Sequence, residues 1–172
     1  MLAHTEYIIR WIEKSRDEED YFDKFVYGFF ALNAMYSEFY DAAIKTEERK
    51  CIEKLLRVCL KGHRDEFDAI FDLPGYKYFC ERRPIRNMRI NPNNSGGRRF
   101  DTRKEVYKLK EKETYDSSYA MLMILYQIRC NLFHGNKAYT NEYDQEIMKN
   151  ASELLLKYNE IFSQCFDRMQ QI

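Results

Sequence analysis

Residues 25–36 read FVYGFFALNAMY, and this stretch decides the fold. Asn33 is its one strongly polar side chain, so a helix built from it is apolar nearly all round. A helix of that kind must be covered on every side, which puts it in the centre of a helical bundle. Just upstream, Asp17, Glu18, Glu19 and Asp20 supply a cap and acidic first turn, where carboxylates favour the positive end of the helix dipole. The predicted helix runs over 20–44.

Other helices follow outward from it. Tyr7, Ile8, Trp11 and Ile12 form one apolar stripe of an N-terminal helix. A third helix is predicted over 47–60, with Ile52, Leu55, Leu56 and Cys59 on one face and Gly62 ending it. The charged segment RKEVYKLKEKE leads into SSYAMLMILYQIRCNLFHG, an apolar helix with Ser117 or Ser118 as N-cap and Gly135 as its stop. The last helix, 144–169, carries Ile147, Leu154, Leu155, Tyr158, Ile161, Phe162, Cys165 and Met169. The fold expected is all-α: one domain over 1–172, an antiparallel helical bundle of four to five main helices joined by mostly short links.

The exception lies between Leu73 and Asp101. All three prolines (Pro74, Pro84, Pro92) and the run NPNNSGG fall there, and periodicity is lost. We read 73–101 as an irregular basic loop insertion, with a short helix near 76–80. Over 81–104, Arg82, Arg83, Arg86, Arg89, Arg98, Arg99, Arg103 and Lys104 face only Glu81 and Asp101, a net +6 in a chain whose 28 basic and 28 acidic residues otherwise balance. Arginine-rich segments of this kind grip RNA backbone, and Tyr76, Tyr78, Phe79 and Phe100 could stack on bases. The alternatives are a solvated loop or a docking surface for an acidic partner.

Composition narrows the setting. The chain holds 14 Tyr and 12 Phe but only 6 Gly and 3 Pro, which suits long helices and few turns. Five scattered cysteines with no CxxC pair read as small core hydrophobes in a reduced, cytoplasmic protein. No stretch approaches the ~18 to 20 apolar residues that would cross a bilayer, and charges interrupt the first residues too often for a signal peptide. His4 and His63 are expected at the surface, and the histidines and cysteines show no zinc-ligand spacing. No cofactor and no metal are expected.

Chemistry concentrates in RCNLFHGNK, residues 129–137. Arg129 and His134 are five apart, with Asn131 between them. This resembles the RxxxxH motif of the HEPN domains, small helical-bundle proteins of prokaryotic toxin–antitoxin and defence systems. The stretch FFALNAMY also resembles the aromatic-x-x-Asn-Ala-x-Tyr run in an early helix of many HEPN proteins, and the order of elements is similar. The resemblance covers most of the chain, leaving out the basic insertion. It implies a metal-independent endoribonuclease in which the ribose 2′-hydroxyl attacks and a 2′,3′-cyclic phosphate is left. It further implies a homodimer whose two motifs form one composite RNA site, with an antitoxin or another regulatory protein as a further partner.

The residue types fit that chemistry. On a regular helix, positions five apart lie about 140° round the axis, so Arg129 and His134 need a distorted last turn, the length of the arginine or a second chain to meet. Asn131 and His134 can meet directly. His134 is the motif's one group that titrates near neutrality, and the helix C-terminus favours its cationic form, suited to a general acid. Arg129 would hold phosphate oxygens through its planar fork. Asn131 would orient the histidine or bind substrate. Lys137 could add a phosphate contact, and Asn33 with Tyr36 would support the motif helix as a buried amide and its neighbour.

Each has a plainer reading. His134 could cap backbone carbonyls, Arg129 could be an exposed last-turn cation, and Asn33 could be a satisfied core amide. For the whole chain, the competing readings are a non-catalytic HEPN module that binds RNA, a nucleotide or a partner protein, and an unrelated helical adaptor carrying a chance RxxxxH.

Overall fold

The computed structural model describes residues 2–85, 101–133 and 141–169, with side chains from 5 to 167 within those ranges. The described chain is all-α, with no strand. Its elements are α1 (Leu2–Asp17), α2 (Tyr21–Ser37), α3 (Glu48–Leu60), α4 (Arg64–Ala69), a 3₁₀ turn (Ile70–Asp72), α5 (Pro74–Glu81), α6 (Arg103–Leu109), α7 (Thr114–Phe133) and α8 (Glu142–Met169). Five of them (α1, α2, α3, α7 and α8) have 13 residues or more. None is long and apolar enough to cross a membrane among the described residues.

The α2 helix starts as its sequence dictates. Asp20 is the N-cap, and its carboxylate accepts from the backbone N–H groups of Phe22 and Asp23 at 2.9 and 3.0 Å. Phe25, Phe29, Leu32 and Met35 are buried, and α2 packs chiefly against α1 and α8. Gly28 is a point of close approach between these three helices. A Cβ there would meet Leu155 and the Ser15 hydroxyl at 3.2 Å, and Asn159 of α8 donates to the Gly28 carbonyl at 2.7 Å. The α3 helix presents Ile52, Leu55, Leu56 and Cys59 to the core as its pattern requires, and it packs on α7, α2 and α8.

Several boundaries and placements differ from the sequence expectations, each for a local reason. The α2 helix stops at Ser37 rather than 44: the Ser37 hydroxyl bonds back to the Ala34 carbonyl, and Asp41 closes a turn by accepting from Ala43. The α7 helix begins at Thr114, so Ser117 and Ser118 are buried inside it rather than capping it. Ser117 donates instead to the Lys108 carbonyl, and Thr114 to Asp68. A tertiary partner thus takes the Ser117 hydroxyl that looked like a cap.

The region 73–101 is not irregular throughout. Pro74 sits in the first turn of α5, where a missing N–H costs nothing. Tyr76 and Phe79 are core residues, not base stackers, and the Tyr76 hydroxyl donates to the Leu109 carbonyl at 2.8 Å. Ile85 and Thr102 are both buried and hold each other twice, backbone to backbone at 3.0 Å and backbone to hydroxyl at 2.8 Å. That clamp joins the two ends of 86–100. Arg86, Arg89, Arg98, Arg99 and Phe100 lie outside the described residues. His63, expected at the surface, is buried ahead of α4 with its Nδ1 3.3 Å from Glu66.

Candidate active site

The last two turns of α7 carry the described half of the motif. Positions 126, 129 and 133 share one face of the helix by their spacing. Tyr126, Arg129 and Phe133 occupy it, and the guanidinium lies over all three neighbouring aromatic rings: 5.3 Å from the centroid of Phe29, 5.8 Å from Tyr126 and 5.3 Å from Phe133. Phe29 comes from α2, so the arginine bridges the two helices. Its Nε is buried and has no hydrogen-bond partner among the described residues. This is not the exposed last-turn cation of the plainer reading.

Glu48, the first residue of α3, sits opposite. Its Oε2 is 3.5 Å from Arg129 Nη1 and accepts from the Tyr126 hydroxyl at 2.6 Å, while its Oε1 accepts from the Tyr36 hydroxyl at 3.2 Å. Three helices thus converge on one carboxylate whose side chain remains 42 % exposed. Burial, and then the charge and hydrogen bond of Glu48, hold both tyrosine hydroxyls well above their ordinary pKa. They stay protonated and keep donating. For Arg129, burial opposes the charge, and Glu48 and Tyr36 more than restore it, leaving its pKa above the usual value.

Asn131 turns the other way. It lies about 200° round the helix from Arg129, is buried, and accepts from the Gln127 amide at 2.9 Å. The structure therefore does not bring Arg129 and Asn131 together, and a residue so enclosed is not open to direct substrate contact. Asn33 is corrected in the opposite sense. It is exposed, not a buried amide. Yet it falls between Phe29 and Tyr36 on the α2 stripe (i, i+4, i+7) that lines the arginine, so it sits at the rim of this cluster. Tyr36 is buried, with its hydroxyl on Glu48. His134, Gly135 and Lys137 lie outside the described residues.

The described arginines of the basic segment are elsewhere in the contact pattern. Arg82 is stacked over Tyr78 of α5 and Tyr143 of α8 at 4.9 and 4.8 Å, and it donates to the Tyr78 hydroxyl at 2.7 Å. Tyr143 keeps half its surface exposed. Arg83 is exposed, and Arg103 pairs with Asp101 at 3.3 Å.

Sequence reasoning missed Glu48 and Tyr126. The i, i+3 spacing of Tyr126 and Arg129 on one helix was the local signal for the tyrosine; Glu48 had none, because it stands 78 positions from Tyr126 and only packing unites them. Chemically the cluster offers a fixed, planar cation flanked by aromatic faces, which suits an anionic group carried on a flat ring system. No protein-family model, no curated protein and no solved structure matches the chain.

Proposed function

We propose that the chain is a metal-independent endoribonuclease of the HEPN type, active as a homodimer with a composite RxxxxH site and serving in the cytoplasm as a toxin or phage-defence effector. The observation that carries this reading is Arg129. Its guanidinium is held over Phe29, Tyr126 and Phe133 at the end of α7, five residues before His134, with Asn33 at the rim. An arginine fixed in this way loses little freedom on gripping a phosphate, so its binding energy goes into orientation.

In this mechanism Arg129 holds the non-bridging oxygens of the scissile phosphate. The ribose 2′-hydroxyl attacks phosphorus, its proton passing to a base, and the 5′-oxygen of the next nucleotide leaves as a proton reaches it. His134 is the motif residue that can exchange these protons near neutral pH. Phe133, an exposed ring, offers a face on which a base can stack. Two motifs related by a two-fold axis would double the positive charge around one phosphate.

A second reading, a non-catalytic HEPN module binding RNA, a nucleotide or a partner protein, is favoured by Asn131, which is turned inward to Gln127 rather than towards Arg129. One experiment separates the two: cleavage of total RNA in EDTA by the purified protein beside Arg129→Ala and His134→Ala. Cleavage by wild type alone, leaving cyclic-phosphate ends, is expected. No cleavage by a chain that is dimeric in the assay would replace the nuclease reading with the binding module, and EDTA sensitivity would remove the metal-free mechanism.

A further inference from the structure

Glu48 poses a problem for an anion site. A carboxylate beside Arg129 cancels its charge and repels a phosphate, so its presence there needs a cause. An incidental surface ion pair is the simplest explanation, since such pairs contribute little and hold neither partner still. Three observations argue against it here. First, Glu48 is gripped from two other helices, by Tyr36 at 3.2 Å and by Tyr126 at 2.6 Å, so the carboxylate cannot swing aside. Second, its bond to Tyr126 is short and charge-assisted, whereas its 3.5 Å separation from Arg129 exceeds the usual hydrogen-bond range. The arginine is attracted and aligned without being tied by a hydrogen bond that a phosphate must break. Third, Arg129 Nε is buried without a partner among the described residues, an arrangement that calls for a structural cause.

We propose that Glu48 is the positioning residue of the Arg129 site: its carboxylate, clamped by the hydroxyls of Tyr36 and Tyr126, fixes the guanidinium over the Phe29, Tyr126 and Phe133 rings and accepts a weaker grip on the anion in return. The kinetic consequence rests on the ribonuclease reading; the structural consequence does not. The position of Glu48 at the start of α3 adds to the clamp, because the helix dipole favours a negative charge there. The device thereby links the orientation of a residue on α7 to the seating of α3.

The test uses the full chain with Glu48→Gln, and Tyr126→Phe as a milder second variant. The charge logic makes the outcome diagnostic. Removing a negative charge beside a bound phosphate cannot weaken phosphate binding electrostatically, so a positioning role predicts that kcat on single-stranded RNA falls about 10-fold or more while KM stays level or drops. A raised KM with kcat unchanged would overturn the proposal. In parallel, the Arg129 Nε–Hε resonance is followed by ¹H–¹⁵N NMR. It is expected to be sharp and slow to exchange in the wild type, and to broaden or exchange about 10-fold faster in both variants as its buried setting opens. An unchanged resonance in the two variants would sink the proposal whatever the kinetics. A wild type that cuts no RNA but shows the resonance change would remove the nuclease reading and leave Glu48 in its positioning role.

Discussion

The Tyr126 hydroxyl donates to Glu48 Oε2 at 2.6 Å, and this bond ties the end of α7 to the start of α3 across 78 positions of chain. Its acceptor is charged but partly exposed, so solvent can replace some of what the bond gives. Tyr126→Phe is therefore expected to lower stability by about 1 kcal/mol, below the 1.5–3 kcal/mol of a fully buried charged bond. Urea denaturation should show a lower midpoint with an unchanged slope. A change of slope would mean that the substitution alters compactness rather than one contact.

Tyr76 tests whether α5 belongs to the core. It is fully buried, and its hydroxyl reaches the Leu109 carbonyl at the end of α6. Tyr76→Phe removes only the bond and should cost about 1 kcal/mol, whereas Tyr76→Ala empties a core position and should cost about 3–5 kcal/mol. Equal and small losses for both, measured by thermal or urea unfolding, would show α5 to be peripheral.

Asp20 carries the start of α2. Its carboxylate satisfies two backbone donors that the helix itself cannot, so Asp20→Ala should cost about 1 kcal/mol and Asp20→Asn much less. Hydrogen exchange should localise the loss to the first turn of α2.

Glu53 gives a pH dependence of defined sign. Hydrogen bonds from Tyr115, at 2.7 Å, and from Arg57, at 2.9 Å, hold its carboxyl below its ordinary value of 4.5. A carboxyl depressed on folding adds stability that is complete above the unfolded value and is lost as pH falls through the folded one. The difference in unfolding free energy between wild type and Glu53→Gln should therefore be present at neutral pH and shrink in the acid range below 4.5. A difference that grows on acidification would contradict the assignment.

Much of the helical pattern was legible because it follows from local periodicity. Ile52, Leu55, Leu56 and Cys59 share a face by spacing alone, and all four are buried as that spacing requires. Asp20 caps α2 for reasons contained within four residues. Reading failed where a side chain had two uses. Ser117 and Ser118 look like caps in sequence, yet α7 starts at Thr114 and both lie buried inside it, with the Ser117 hydroxyl donating to the Lys108 carbonyl. Asn33 looked buried because its neighbours Leu32 and Ala34 are, but a polar side chain is cheaply left outside, and packing exposes it together with Phe30.

The site divides in the same way. The sequence by itself determined an all-α chain, the apolar helix over 25–36, and the presence of an arginine and a histidine in RxxxxH spacing near the end of a helix. These depend on residue types and on a 3.6-residue period, which are properties of contiguous chain. Only the tertiary structure decided that Glu48 of α3 and Tyr36 of α2 stand beside Arg129 and Tyr126 of α7, and that Ile85 meets Thr102. Those pairings carry no local signature, because a hydrogen bond between distant helices is fixed by how apolar faces stack and not by the letters that flank it.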